Sequence, residues 1–188
     1  MRTSLKIALT GNTGVGKDTF VQTLRASDKF DSLQEIKLST PLYEVQNYIY
    51  QVCKKEKEYF TQDGVLLNFL GKNMREINPN IIKDYFLAQL DMLNNINGVI
   101  ICSDARPQDL LFIKSSNFLI IKIIASTKLC IERRIARGDT SLGSLDHSTE
   151  KSASQEIAFD YSIENNGKLN IYQQAILKLV GDLYDSHW

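Results

Sequence analysis

Residues 11–19 read Gly-Asn-Thr-Gly-Val-Gly-Lys-Asp-Thr and follow the apolar run Leu5-Lys6-Ile7-Ala8-Leu9-Thr10. A short buried strand that turns through glycines into an amphipathic stretch from Asp18 to Leu24 is the setting a phosphate-binding loop requires. Gly11, Gly14 and Gly16 let the backbone curl, so that successive amides from Asn12 and Thr13 through Val15 to Thr19 point inward at an anion. The helix that starts there adds the positive end of its dipole, and Lys17 adds a mobile cation for the terminal phosphates. The strict pattern places Ser or Thr directly after the lysine; here Asp18 stands there and Thr19 follows. Asp18 is either a ligand of a phosphate-bound Mg2+, directly or through water, or a helix N-terminal carboxylate with no ligand role. The bland alternative for the whole segment is an ordinary glycine turn.

Other residues suit the same chemistry. Arg133, Arg134 and Arg137 lie close together, and on a helix over 128–137 positions 133 and 137 share a face. Two guanidiniums on that face can grip a migrating phosphoryl group, although basic residues also simply complement a helix C-terminus. The stretch 138–148 that comes next is small, polar and glycine-containing, a composition suited to a lid or to an ordinary surface loop. Asp104 ends the apolar run Val99-Ile100-Ile101-Cys102-Ser103, at the edge of a parallel sheet where ligands bind. There it is placed to hold Mg2+ through water, or to cap a helix ahead of Pro107, and Arg106 would point into the same crevice. Arg75 by itself reads as an exposed arginine, Asn165-Asn166-Gly167-Lys168 as a turn, and His147 and His187 as surface residues.

The elements that must position these groups emerge from periodicity. Short Ile- and Val-rich runs alternate with segments of helical period, which predicts an α/β protein with a five-stranded parallel sheet. The expected strands are 6–10, 35–39, 99–103, 119–125 and 161–164. Between the second and third, Leu42, Val45, Ile49 and Val52 predict one helix, and Ile82, Phe86, Leu90 and Leu93 predict another. The charged run Lys54-Lys55-Glu56-Lys57-Glu58 reads as a solvated helical tip. Tyr172, Ala175, Ile176, Leu179, Val180 and Leu183 form the apolar stripe of a last helix.

Composition narrows the class. With 188 residues the chain is most economically one domain. Its 22 basic and 22 acidic residues cancel, so neither a nucleic acid nor a membrane surface is an expected partner. Three scattered cysteines, Cys53, Cys102 and Cys130, predict reduced, buried thiols in a cytoplasmic protein rather than a disulfide framework or zinc site. No signal peptide is expected, because the first strand begins at once and carries Lys6. The apolar run 118–125 is interrupted by Lys122 and is too short to span a bilayer. The sequence does not decide between a monomer and a homodimer.

On these motifs the chain resembles the P-loop kinases of small metabolites, and most closely the phage-type deoxynucleoside monophosphate kinases. The marks are the 11–19 loop with Asp18, Ser39-Thr40-Pro41-Leu42, Leu70-Gly71 followed by Arg75, Ser103-Asp104-Ala105-Arg106, His147-Ser148-Thr149-Glu150, and Asp160-Tyr161-Ser162-Ile163 leading into Asn165-Asn166-Gly167. The strings at 104–106 and 160–167 also resemble dephospho-coenzyme A kinase. The resemblance implies a three-layer P-loop NTPase fold, a helical acceptor-binding insertion at about 41–95, and a lid at about 138–148. It implies ATP and Mg2+ at the loop, Arg75 and Arg106 on the phosphate of a small-molecule acceptor, and Arg133 and Arg137 on the transferred group. Asn166 and its turn would lie against the adenine. The segment 53–63 has no counterpart in that resemblance.

The expected reaction is transfer of the γ-phosphoryl group of ATP to a (deoxy)nucleoside monophosphate. An anionic acceptor needs no protein nucleophile, which agrees with the lack of any Ser/His/Asp or Cys/His constellation. Two rivals stand beside it: a hydroxyl-directed kinase, in which Asp18 or Asp104 would take the acceptor's proton, and a P-loop ATP-binding module without an acceptor.

Overall fold

Alternation along the strands decides the architecture. In β1 (Leu5–Thr10) Leu5, Ile7 and Leu9 pack on one side of the sheet and Ala8 on the other; in β3 (Val99–Cys102) Val99 and Ile101 oppose Ile100 and Cys102. A strand apolar on both faces needs helices on both faces, and the chain supplies them. The computed structural model describes residues 4–56, 58–93, 96–137 and 159–187. Helices α1 (Lys17–Arg25), α6 (Thr127–Ala136) and α7 (Leu169–Ser186) cover one face through Phe20, Leu24, Cys130, Tyr172, Ile176 and Val180. Helices α2 (Thr40–Val52), α3 (Gly64–Ile77), α4 (Ile81–Met92) and α5 (Leu110–Ser115) cover the other through Leu42, Leu67, Leu70, Phe86, Leu90 and Ile113.

The five strands, completed by β2 (Leu33–Ile36), β4 (Leu119–Ile124) and β5 (Tyr161–Glu164), are all parallel in the order β2-β3-β1-β4-β5. The three-layer α/β architecture with five parallel strands is therefore as expected from the sequence. Register decides which strand ends meet. Ala8 lies beside Cys102 on the paired strands β1 and β3, so the loop after Thr10 and the carboxylate of Asp104 leave the same sheet edge side by side.

Several local expectations change. The second strand is displaced toward the N-terminus, to Leu33–Ile36, because its ladder ends where Ile36 meets Cys102, the last residue of β3. Beyond that point the amides of Leu38 and Ser39 donate to Asp104 instead of to a strand. Between β2 and β3 the described residues form three helices rather than two. The added one, α3, is started by Asp63, whose side chain accepts from the amide of Leu66. Of the charged run, Lys54, Lys55, Glu56 and Glu58 are exposed but form no helical tip: α2 ends at Val52, and Lys54 takes a left-handed φ of 53°. Cys102 and Cys130 are buried as expected, whereas Cys53 is exposed just past the end of α2. No helix among the described residues is long and apolar enough to cross a membrane.

Candidate active site

The 11–19 segment folds as a cradle. Gly11, Gly14 and Gly16 all have positive φ, at 139°, 90° and 104°. At Gly14 a Cβ would come within 2.6 Å of the carbonyl oxygen of Cys130, and at Gly16 it would overlap the side-chain amide of Asn165, so both conformation and space demand glycine. Gly16 is also the residue that directly precedes and caps α1, whose first amides have no partner within the helix. Lys17 folds back over the loop, its Nζ donating to the carbonyls of Gly11 at 2.6 Å and Asn12 at 3.1 Å. Val15 is buried and anchors the loop in the core, and Asn12 and Thr13 stand exposed at its tip.

Two residues hold this cradle from behind, and periodicity could not assign them that role. Asn165, only 5% exposed, donates its side-chain amide to the Val15 carbonyl at 2.7 Å. Tyr172 donates its hydroxyl to the Gly16 carbonyl at 3.1 Å, and burial pushes that hydroxyl well above its ordinary titration range, so it remains a donor. In the sequence Tyr172 is one member of an apolar stripe and Asn165 one member of a turn. The only local hint was a polar residue directly after a strand end. Asn166, by contrast, is exposed and accepts from the Ser126 amide at 2.8 Å, tying the β5–α7 turn to the start of α6.

A cleft of about 630 Å³ opens in front of the loop, lined by Thr13, Gly14, Gly16, Lys17, Asp18 and Thr19 on one side. Opposite them stand Ser39, Leu42 and Tyr43 of the α2 region, with Asp104, Arg106, Arg133 and Arg137 around the rim. Three of the four arginines assigned to phosphate in the sequence thus converge here. Arg133 donates to the carbonyl of Asn165 at 3.0 Å and reaches the Gly14 carbonyl at 3.5 Å, which fixes it against the loop. Arg137, one turn on along the same face, pairs with Asp18 at 3.5 Å across the cleft mouth. Asp18 is exposed in the first turn of α1, with its charge next to Lys17 and Arg137. Arg75 is not among the lining residues. It is half-buried on α3, donating to the Gly71 carbonyl at 3.0 Å, and burial pulls its guanidinium below the ordinary value. The lid expected at 138–148, with His147, lies outside the described residues.

Asp104 does not cap the turn that starts at Pro107; Arg106 precedes that turn, and no side-chain cap is made there. Its carboxylate instead accepts from the Leu38 amide at 2.8 Å, the Ser39 amide at 2.9 Å and the Ser39 hydroxyl. It therefore pins the segment leading into α2 to the end of β3, while still facing the cleft. Among the described residues no group of three or more His, Cys, Asp and Glu side chains could hold a metal by itself. A phosphate-borne Mg2+ does not need one, since it keeps several waters and takes only one or two carboxylates. Asp18 and Asp104, both on the cleft wall beside Lys17, fit that requirement.

No protein-family profile matches the chain, and no curated protein matches it. Solved structures do. TT1252 from Thermus thermophilus aligns over 96% of this chain and 98% of its own, with a TM-score of 0.53 and 17% identity. Shikimate kinase from Acinetobacter baumannii, solved in complex with shikimate, aligns over 96% of each chain, with a TM-score of 0.53 and 12% identity. At these identities what the chain shares with both structures is the fold.

Proposed function

We propose that this protein transfers the γ-phosphoryl group of ATP to the phosphate of a (deoxy)nucleoside monophosphate, giving the diphosphate. The observation that carries the reading is the convergence of the glycine cradle and Lys17 with Arg106, Arg133 and Arg137 on one cleft. A triphosphate seated on the amides of residues 12–19 satisfies the cradle and Lys17, and the remaining guanidiniums then have charge to meet from a second phosphate. Phosphoryl transfer asks a protein chiefly for positioning and charge stabilisation. Lys17 would hold the terminal phosphates, Arg133 and Arg137 the group in flight, and Arg106 the acceptor's phosphate, with Arg75 behind it on α3. Mg2+, when bound with ATP, neutralises charge between the β- and γ-phosphates; Asp18 and Asp104 are the residues that would hold it, in part through water. Small-molecule partners are the expected ones, with no nucleic acid or membrane.

A hydroxyl-directed kinase is the second reading, favoured by the fold shared with shikimate kinase and by the strings at 104–106 and 160–167. It asks a carboxylate to take the acceptor's proton. Asp104 already accepts four hydrogen bonds, one of them from the Cys102 thiol, and Asp18 is paired with Arg137, which leaves both poorly placed for that work. A coupled ADP-release assay over nucleoside monophosphates, shikimate and dephospho-coenzyme A decides between the two. Turnover with one or more nucleoside monophosphates is expected; turnover only with a hydroxyl acceptor would reject the nucleotide assignment.

A further inference from the structure

Residues 58–63 form an irregular strap that the fold takes trouble to immobilise. Gln46 of α2 is fully buried, a rare place for a glutamine, and spends both ends of its amide on the strap. Its Nε2 donates to the Thr61 carbonyl at 2.9 Å, and its Oε1 accepts from the Asp63 amide at 3.1 Å. Asn47 donates to the Tyr59 carbonyl at 3.1 Å, and the Tyr50 hydroxyl donates to the Asp63 carboxylate at 2.8 Å. Three side chains of one helix therefore hold a segment that has no regular structure of its own.

What the strap presents is aromatic. Phe60 is 52% exposed and lines a space of about 370 Å³ together with Lys17, Asp18, Tyr43 and Gln62, four residues that it shares with the larger cleft. Its ring stands at 76° to that of Tyr43, with centroids 5.3 Å apart, so the two make a corner. Tyr59 also packs against it edge-on, with centroids 4.8 Å apart, and Lys37, tethered to Glu35 at 3.6 Å, lies over the ring at 4.7 Å. Even with Lys37 over it, half of the ring remains in water, and a flat group covering that remainder would take apolar surface out of water. Rigid placement of such a ring is what a stacking platform requires, because the entropy of ordering is spent during folding and not on binding.

We infer that the Tyr43–Phe60 corner is the platform for a planar heteroaromatic ring of the acceptor, with the Gln62 amide beside it able to donate to and accept from the ring's edge. The corner is built from α2 and the strap tied to it, and neither Asn165 nor Asn166 lines the space it faces, so we assign it to the acceptor and not to the ATP base. This deepens the nucleotide-kinase reading and rests on it. It also gives a role to the segment that the resemblance left without one.

The test compares wild type with Phe60→Ala, Phe60→Leu and Phe60→Trp. Binding of the four deoxynucleoside 5′-monophosphates is measured by calorimetry, steady-state KM by ADP release, and 2-deoxyribose 5-phosphate serves as an acceptor without a base. Stacking of a base on an aromatic side chain implies a loss of about tenfold or more in nucleotide affinity for Phe60→Ala. Phe60→Leu, which keeps bulk but not a planar ring, loses a similar factor, and Phe60→Trp retains affinity. KM for ATP and binding of the base-free phosphate stay within about twofold. Nucleotide affinity unchanged in Phe60→Ala, or the base-free phosphate weakened equally, overturns the platform while leaving the kinase reading in place. Failure of the wild type to bind any of the four nucleotides overturns both.

Discussion

Lys17 and Arg137 occupy opposite sides of one charge problem, and their substitutions separate binding from rate. The Lys17 ammonium bonds to two loop carbonyls and lines the cleft, outside the apolar core. Lys17→Ala is expected to lower ATP-dependent turnover on the order of a hundredfold or more while circular dichroism and thermal unfolding stay unchanged. Full activity in that variant would mean that the loop is not the site. Arg137 reaches the cleft mouth from just past the end of α6 and meets Asp18 there. If it stabilises the group in flight, Arg137→Ala lowers kcat by a larger factor than it raises KM for ATP. Equal losses in the two constants would make it a binding residue only.

At the scale of elements, the cradle depends on β5 and α7 arriving behind it. Asn165 joins three parts: its backbone amide bonds to Ile124 of β4, its side chain to Val15, and its carbonyl accepts from Arg133 of α6. Asn165→Ala leaves the Val15 carbonyl without that donor in a buried position, at a cost of about 1–3 kcal/mol of stability. Because the lost bond supports the loop from the side away from ligand, ATP affinity should fall too, although Asn165 itself is not among the cleft-lining residues. Urea denaturation followed by nucleotide titration measures both; a stable variant with unaltered ATP binding would show that the clasp is dispensable. The same element logic explains why β2 stops early. Asp104 captures the amides of Leu38 and Ser39, so a carboxylate and not a strand partner sets where α2 begins.

For the whole molecule, one buried charge gives a pH signature. Asp109 is 5% exposed, its Oδ2 has no hydrogen-bond partner among the described residues, and burial pushes its carboxyl up to about 6 from an ordinary 3.8. Arg75 and Arg106 nearby act in the opposite direction and are outweighed. A carboxyl raised in the folded state holds its proton longer than in the unfolded chain. Stability is then greatest below about pH 4 as far as this group is concerned, and falls by up to about 3 kcal/mol as pH rises to 6. Asp109→Asn should remove that fall, so that thermal unfolding of the variant changes less than wild type between pH 4 and 6.5. Identical profiles for the two proteins would place the carboxyl's titration elsewhere.

The fold class was legible because a fully buried parallel strand must be apolar on both faces, and runs such as Val99 to Cys102 leave no other assignment. The loop was legible because three glycines and a lysine at fixed spacing answer a local steric and electrostatic need. Helices α3 and α5 were passed over, although Asp63 ahead of an apolar run carries the signal of a helix start for the first of them. What no reading along the chain could supply is proximity. The pairing of Ala8 with Cys102 is a contact between residues over ninety positions apart, and it alone brings Asp104 to the cradle. The clasp by Asn165 and Tyr172 and the aromatic corner at Phe60 likewise exist only once α7 and α2 have docked on opposite faces of the sheet. Residue types and spacing determined which groups can bind phosphate; packing of distant segments decided which of them share a cleft.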